Sequence, residues 1–220
     1  MSKYQTPYRY DFVGSFLRSQ EVKQAKADYS EGKITKEECD AIVDKAVTEV
    51  VAKQKELGFH IITDGEFRRS TWHLDFMWGF EGIEHQKTVE GNTTFDAEAA
   101  MIDDTYLCGK VGLSKVHPFV EHFKFVKQFE DENTVAKLTI PAPAQFLAEL
   151  FRGKNAENTR QFYPNTTELI EDIAKAYRTF FHEIYAAGCR TVQLDDCTWG
   201  MIVDDDFWKS MAGTGFTLEH

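Results

Sequence analysis

The stretch FHIITDGE, Phe59–Glu66, passes from an apolar run directly into acidic residues. Short runs of this kind are typical of strands that are buried on both faces, as in a parallel sheet covered by helices. Ligands of such sheets bind at the carboxyl ends of the strands. The stretch therefore predicts a parallel strand over residues 59–64, with acids placed where a functional site is expected.

A helix is predicted directly before this strand. Thr35 and Glu38 form a capping box, and apolar residues recur at helical spacing up to Gly58. The arrangement is repeated near the end of the chain, where a helical apolar stripe over residues 169–184 precedes the strand TVQLDD at 191–196. Two helix–strand units that each end in acid predict a parallel α/β fold.

Weaker strand candidates occur at residues 9–16, 105–111, 123–129 and 135–140. About five strands could belong to one parallel sheet, whereas a complete eight-stranded barrel takes about 250 residues. We therefore predict an α/β fold of the (β/α)8 TIM-barrel type that is incomplete in this chain, with about five of eight strands. In this prediction residues 1–220 are a single domain, the N-terminal part of a barrel, with an inserted hairpin within 80–130.

Composition limits the classes of partner. The chain has 220 residues and a formal net charge of -11, which argues against binding to nucleic acid or to an anionic membrane surface. No apolar segment approaches the roughly 20 residues of a membrane helix, and the N-terminus has no signal-peptide core. The four cysteines are scattered without a C-x-x-C pair, which predicts reduced thiols. We expect a cytoplasmic protein that acts on small molecules.

The Asp64-Gly65-Glu66 element is the strongest candidate for a functional site. A carboxylate just past a buried strand can hold a substrate ammonium, act as a base or bind a metal. The alternative is that Asp64 and Glu66 pair with Arg68 or Arg69 and only hold the loop. The position at a strand end favours function for at least one of the two acids, and for Glu66 in particular.

Two further segments could contribute to the same pocket. Backbone amides around Gly14 and Ser15 could hold an anion because glycine lets the backbone approach closely, although such a pair is more often an ordinary turn. Trp72 and His73 could line the pocket, or they could be packed, hydrogen-bonded residues.

The late stretch DDCTWG, residues 195–200, carries a second pair of acids. Adjacent residues of a strand point to opposite faces, so only one of Asp195 and Asp196 is expected to face the substrate. Cys197 invites interpretation as a nucleophile, but no histidine lies near it in sequence, and we interpret it as a small packed hydrophobe. Trp199 is a further candidate for the pocket lining.

Four ordered motifs carry a family resemblance: FVGSFLR at residues 12–18, ITDGEFRRSTWH at 62–73, LTIPAPAQFL at 138–147 and VQLDDCTWG at 192–200. Together they resemble the catalytic barrel of the cobalamin-independent methionine synthase family, and most of all its shorter single-barrel relatives. The resemblance implies a methyltransferase of methionine biosynthesis that binds homocysteine beside a zinc ion. The zinc holds the thiol as a thiolate for attack on a donor such as 5-methyltetrahydrofolate.

The resemblance also implies roles for individual residues. By position, Val13, Gly14 and Ser15 match the family's segment that holds the carboxylate of the amino acid. Glu66 and Asp195 match the two acids that take its ammonium group. An ammonium between two carboxylates, with the carboxylate on backbone amides, would fix the amino acid and aim its sulfur.

This sequence departs from the family pattern in its metal ligands. The family's zinc ligands follow the strand that matches residues 191–196, in a His-x-Cys motif, a glutamate and a late cysteine, and no His-x-Cys occurs here. We therefore expect no metal site in this chain, which would be either the first part of a longer protein or a remnant that binds the amino acid without catalysis. Asp196 and Cys197 also stand where the full-length enzymes have glutamate and proline.

The residues alone leave two other functions open. Glu66 and Asp195 could be the carboxylate pair of a barrel glycosidase, which requires a separation of about 5–9 Å. The chain could also be a non-catalytic, amino-acid-binding partial barrel whose exposed sheet edge forms a homodimer. In the preferred interpretation the partners are a small thiol amino acid and a methyl donor.

Overall fold

A computed structural model describes residues 11–87 and 103–210 of the chain. The elements in these ranges, in chain order, are α1 (Gln20–Ser30), α2 (Lys36–Glu56), β1 (Ile61–Ile62), α3 (Leu74–Met77), β2 (Glu81–Lys87), β3 (Asp103–Gly112), α4 (Pro118–Lys127), β4 (Val135–Ala136), β5 (Leu138–Pro141), α5 (Pro143–Leu150), α6 (Asn155–Phe162), α7 (Thr166–Ala186), β6 (Val192–Asp195), α8 (Thr198–Ile202) and α9 (Asp205–Ser210). No helix in these ranges is long and apolar enough to cross a membrane.

The first helix–strand unit forms as its residues predict. The Thr35 side chain accepts from the Glu38 amide, and the Glu38 carboxylate accepts from the Thr35 amide at 2.8 Å, so the capping box closes the start of α2. One face of α2 is buried in the core. The chain then turns at Gly58, whose φ of 81° suits a residue without Cβ, and enters β1, where both isoleucines are fully buried.

The parallel strands form a short array around one central segment. β1 pairs in parallel with β4, and β5 pairs in parallel with β6. Only Lys137 separates β4 from β5, and its amide donates to the Ile62 carbonyl at 3.0 Å. Strands β1 and β6 therefore flank one extended segment, residues 135–141. Since all of these strands run in the same direction, their carboxyl ends lie at the same edge.

The long helix α7 covers this array and completes the second helix–strand unit. Its apolar stripe is buried, and Tyr177 donates its hydroxyl to the Pro141 carbonyl at 2.9 Å, which ties the helix to the end of β5. The chain turns at Gly188, at a φ of 95°, before it enters β6. β6 has a neighbour on one side only within the described ranges, and its Leu194 is 48% exposed.

Two of the weaker strand predictions are wrong. Residues 123–129 lie largely in helix α4 and its C-terminal turn, because apolar residues recur there at spacings of three and four rather than two. Residues 11–16 form no strand, and residues 9–10 lie outside the described ranges. The stretch 105–111 does lie in a strand, β3, but it pairs antiparallel with β2 and stands apart from the parallel array.

Candidate functional site

The turn after β1 places Glu66 in an unusual backbone conformation. Glu66 has a φ of 62°, and among the described residues it alone has positive φ without being glycine. The Asp64 side chain stabilises this turn, because its Oδ1 accepts from the Glu66 amide at 2.8 Å. Gly65 packs so closely under Phe16 that a Cβ there would lie 2.8 Å from the ring. The turn therefore requires a glycine at 65, and it directs residue 66 away from the ordinary strand path.

The Glu66 carboxylate is buried and has three partners. The Ser15 hydroxyl donates to Oε2 at 2.5 Å, and the Thr139 hydroxyl donates to Oε1 at 3.3 Å. Arg69 lies 3.4 Å from Oε1, and both side chains are almost inaccessible to solvent. The loop after β1, the N-terminal segment and strand β5 thus converge on one carboxylate.

Two arginines hold this loop in place: Arg69, which the loop-holding alternative named, and Arg18, which sequence reasoning did not assign to the loop. Arg18 donates to the Glu66 carbonyl at 2.8 Å and to the Arg69 carbonyl at 3.1 Å. The Arg69 guanidinium donates to the carbonyl of Thr139 at 2.6 Å and to its hydroxyl at 3.0 Å. Glu66 and Arg69 therefore do pair, as the loop-holding alternative requires, while Arg68 pairs instead with Asp44 at 2.5 Å.

Asp195 lies at the tip of β6 in a second polar network. Its Oδ1 accepts from the Gln193 side chain at 2.5 Å, and the Gln193 oxygen accepts from Lys137 at 2.7 Å. The buried Lys137 ammonium also donates to the Phe12 carbonyl at 2.6 Å and pairs with Asp11 at 2.7 Å. This network connects the central strand segment, β6 and the N-terminal segment.

The two networks lie on the same face of the array. Lys137 and Thr139 are two residues apart, as are Gln193 and Asp195, and residues two apart share a strand face. The register pairs Thr139 with Gln193 and Pro141 with Asp195. The structure therefore brings Glu66 and Asp195 to one face at the carboxyl end of the strands.

The N-terminal segment passes beside this face. Phe16 donates its amide to the Gly65 carbonyl at 3.1 Å, which joins the segment to the loop after β1. Gly14 has a φ of 80°, and within the described ranges the amides of Val13, Gly14 and Ser15 donate to no protein group. The Val13 side chain is 82% exposed. No group in residues 11–87 and 103–210 therefore occupies these three amides.

Trp72 and His73 lie farther along the same loop. The His73 ring is buried, bonds to the Glu149 carboxylate at 3.0 Å and packs against the tilted Trp72 ring, with ring centroids 4.4 Å apart. Gln145 also donates to that carboxylate, at 3.0 Å. His73 is thus packed and hydrogen-bonded, which is the alternative that the sequence left open beside a role in lining the pocket.

The residues after Asp195 face other partners. Asp196 accepts from the Thr198 amide at 2.9 Å and from its hydroxyl at 2.5 Å, beside the first residue of the short helix α8. Trp199 on this helix is 69% exposed. Cys197 is exposed at the surface, so its interpretation as a packed hydrophobe is wrong. The local desolvation of its sulfur, and then the charges of Asp195 and Asp196, raise the pKa of its thiol. A raised pKa disfavours the thiolate that a nucleophile requires.

Lys137, Thr139 and Gln193 belong to the hydrogen-bond networks of the candidate residues Glu66 and Asp195, and sequence reasoning missed them. A signal for them exists in the chain: polar residues alternate with apolar ones in KLTI, 137–140, and in VQLD, 192–195. In strands covered on both faces, such alternation marks one face as polar. Arg18 and Arg69 carry no comparable signal, because their partners come from distant parts of the chain.

The described residues do not provide a set of ligands for a metal ion. No group of three or more His, Cys, Asp and Glu side chains positioned to hold a metal occurs in residues 11–87 and 103–210. Zinc requires nitrogen, sulfur or carboxylate donors that converge at about 2.0–2.3 Å. The zinc that the family resemblance implies therefore does not fit the described residues, and no chemical step is assigned to it here.

The chain is similar in sequence to several known proteins. Residues 11–87 match the family model described as "Cobalamin-independent synthase, Catalytic domain". The uncharacterized protein YxjH of Bacillus subtilis (strain 168) is 37% identical over 219 residues, which cover 96% of this chain and 55% of that protein. A 5-methyltetrahydropteroyltriglutamate–homocysteine methyltransferase of Bifidobacterium longum is 33% identical over 186 residues, 84% of this chain and 22% of that enzyme.

A solved structure shows the same fold. The crystal structure of a candidate vitamin-B12-independent methionine synthase from Listeria monocytogenes matches with a TM-score of 0.71 and 33% identity, covering 90% of this chain and 55% of that one. The chain thus spans about half the length of the Bacillus subtilis and Listeria monocytogenes relatives and about a fifth of the Bifidobacterium longum enzyme. The predicted fold class, part of a TIM-type β/α barrel, is confirmed. In sequence and in fold, this chain is related to the catalytic domain of the cobalamin-independent methionine synthase family.

Proposed function

We propose that this chain binds a thiol amino acid such as homocysteine at the strand tips and serves its S-methylation toward methionine. The observation that supports this proposal is the convergence of Ser15 and Thr139 on the buried Glu66 carboxylate, with Asp195 on the same face. The substrate ammonium lies between Glu66 and Asp195. The substrate carboxylate accepts from the amides around Gly14 and Ser15.

The chemistry of the groups suits a zwitterion. A carboxylate can accept about four hydrogen bonds, and Glu66 has three partners, so a place for an ammonium donor remains. Hydrogen bonds between ionised groups are about twice as strong as neutral ones. Burial strengthens them further because the local dielectric constant is low. The strained backbone of Glu66 also supports a functional role, since left-handed non-glycine residues cluster at functional sites.

The described residues account for binding and orientation of the amino acid. In the family, zinc supplies the chemistry that turns the substrate thiol into a thiolate. Because residues 11–87 and 103–210 offer no ligand set for this ion, the proposal assigns to them the holding of the ammonium and the carboxylate, and nothing in the transfer step. We further propose that residues 1–220 act as one domain of barrel type, and that the methyl donor binds beside this pocket.

Calorimetric titration with L-methionine and L-homocysteine tests the proposal. Glu66→Gln and Asp195→Asn should each weaken binding by about tenfold or more, because each removes a charge-assisted contact worth about 1.5–3 kcal/mol. Asp196→Asn is the matched control, since the Asp196 carboxylate already accepts from the amide and the hydroxyl of Thr198. Its affinity should stay within about twofold of the parent chain.

The outcomes separate the proposal from its rivals. If neither L-methionine nor L-homocysteine bound to the folded parent chain, the proposal would be overturned. Equal affinities in all three variants would overturn the assignment of Glu66 and Asp195. A simple sugar such as glucose should give no heat of binding, and a sugar that bound in place of the amino acids would favour the glycosidase instead.

A further inference from the structure

An open cleft of about 550 Å³ lies apart from the strand tips. Its lining residues come from α1, α2, the loop after β1, β2 and α4. Small-molecule sites typically measure about 300–1,000 Å³. None of Ser15, Glu66 and Asp195 lines this cavity. Its size suits an organic ligand, and its position is separate from the amino-acid pocket proposed above.

The cavity is positively charged although the chain is acidic. The side chains of Lys26, Lys36 and Arg68 line it, whereas Asp40 is the only carboxylate in the lining. The chain as a whole has a formal net charge of -11. A cleft with walls of low dielectric constant concentrates the field of the charges that line it. An excess of cations in such a cleft of an acidic protein favours an anionic ligand.

Lys26 is the cation whose charge is least compensated. Its ammonium donates to the Arg69 carbonyl at 2.5 Å, and within residues 11–87 and 103–210 it forms no ion pair. Burial, and then the nearby Arg18 charge, lower the pKa of Lys26 to about 8. A partly buried ammonium with one neutral acceptor is costly unless a further acceptor reaches it. An anion in the cavity would supply that acceptor.

Arg68 also has an unused donor. Its terminal nitrogen pairs with Asp44 at 2.5 Å, and its guanidinium lies over the Phe125 ring, 4.6 Å from the centroid. Its Nε is buried and makes no hydrogen bond to any described group. The contact with Phe125 and the pair with Asp44 thus fix the position of the guanidinium. A fixed, planar guanidinium suits recognition of carboxylate or phosphate groups.

From these observations we propose that the cavity between α1, α2 and α4 binds a small organic anion that carries phosphate or carboxylate groups. Lys26 and Arg68 bind the anionic group. The ring of Tyr29, which is 46% exposed, offers an apolar surface for the rest of the ligand. The lining of this site includes none of Ser15, Glu66 and Asp195, so each of the two proposals can be tested without the other.

Calorimetric titration of the full chain at low ionic strength tests the proposal, with pyrophosphate and citrate as the two probes. Pyrophosphate alone, citrate alone or both should bind, and the pattern identifies the class of anion. Lys26→Met should weaken binding about tenfold or more, because a charged hydrogen bond is lost. Lys26→Arg, which keeps the positive charge, should retain most of the parent chain's affinity for the probe. Lys23→Met, on the same helix but exposed and outside the cavity, should bind like the parent chain.

The remaining results are equally decisive. Absence of binding by both probes at millimolar concentrations, or equal binding by Lys26→Met and the parent chain, would overturn the proposal. Glu66→Gln should still bind the probe while its affinity for methionine falls, so failure of one site is distinguishable from failure of the other.

A second measurement covers the case in which Lys26→Met does not fold. Lysines of the parent chain can be methylated with a carbon-13 label and titrated by NMR. The Lys26 signal, assigned with Lys26→Arg, should show a pKa near 8 without the probe and a higher pKa with it, because the bound anion favours the charged amine. An unchanged Lys26 titration would contradict the proposal.

Discussion

Glu66 combines a left-handed backbone, almost complete burial and a negative charge. Its φ of 62° costs about 1–3 kcal/mol for a residue with a Cβ. Three hydrogen bonds hold Glu66 in this conformation. The Asp64 side chain accepts from the Glu66 amide, Arg18 donates to the Glu66 carbonyl, and Ser15 donates to the Glu66 carboxylate. A glycine at this position would avoid the strain but would present no carboxylate. The structure thus retains an unfavourable backbone in order to place one charged group.

Cys197 provides a prediction at the scale of a single residue. Partial burial and the neighbouring Asp195 and Asp196 raise the pKa of its thiol, so less of it is thiolate at pH 7 than in a free cysteine. Iodoacetamide should therefore alkylate Cys197 several-fold more slowly than it alkylates glutathione, as followed by peptide mass spectrometry. Asp195→Asn should accelerate the reaction because it removes one negative charge. Alkylation faster than that of glutathione would contradict this prediction.

At the scale of elements, helix α4 shows how a short apolar–polar alternation can lead to a wrong strand prediction. The stretch FKFVKQF, residues 123–129, alternates apolar and polar residues over its first part, which predicts a strand. In the structure it continues a helix that begins at Pro118, and Phe119, Phe123 and Val126 all face the core. Pro at the first helical position and an upstream residue with a side-chain acceptor are start signals. A window that included them would have favoured the helix.

The start of α4 provides a prediction about pH. The Nδ1 atom of His117 accepts a hydrogen bond from the Phe119 amide, and its Nε2 donates to the Phe76 carbonyl at 2.9 Å. Burial lowers the pKa of His117 from the usual 6.5 to about 4. The unfolded chain takes up a proton below pH 6.5, whereas the folded chain resists it down to about pH 4. Stability should therefore fall as pH drops through this window, by up to about 3 kcal/mol from this group.

Urea denaturation of the parent chain and of His117→Asn, measured between pH 7 and pH 4.5, isolates this contribution. Asparagine retains a side-chain acceptor for the helix start but does not titrate. The variant should be less stable at pH 7, and its stability should fall less steeply with acid. The nearby His122 and Glu183 are present in both chains and cancel in the comparison. Parallel curves for the two chains would contradict the prediction.

At the scale of the whole molecule, Lys137 joins parts of the chain that are far apart in sequence. Its ammonium contacts Asp11, Phe12 and Gln193, so one buried charge connects the N-terminal segment, the central strand segment and β6. Its own side chain is 2% exposed. A buried ammonium is tolerated only when it is paired and hydrogen-bonded. The Lys137 contacts therefore help to define where the N-terminal segment lies against the strand tips.

Lys137→Met should destabilise the fold by about 1–3 kcal/mol, because the Phe12 carbonyl and the Gln193 oxygen lose a charged donor. The part that comes from Asp11 should be small, since that side chain is 34% exposed and water replaces the lost partner. Urea denaturation measures the change, and amide hydrogen exchange should show faster exchange around Phe16. Lys115→Met, an exposed residue outside the network, serves as the control. Equal stability of the two variants would contradict this role.

The local patterns of the sequence determined the two helix–strand units, the capping box of Thr35, and the acids at the strand ends. These features depend on neighbours within about one helical turn or one strand, so the chain itself specifies them. The tertiary structure alone decided which acid bonds only to its near neighbours and which acids come to the same face of the strand array. Arg69, Thr139 and Lys137 bond to partners many residues away, and such contacts exist only once parallel strands lie side by side.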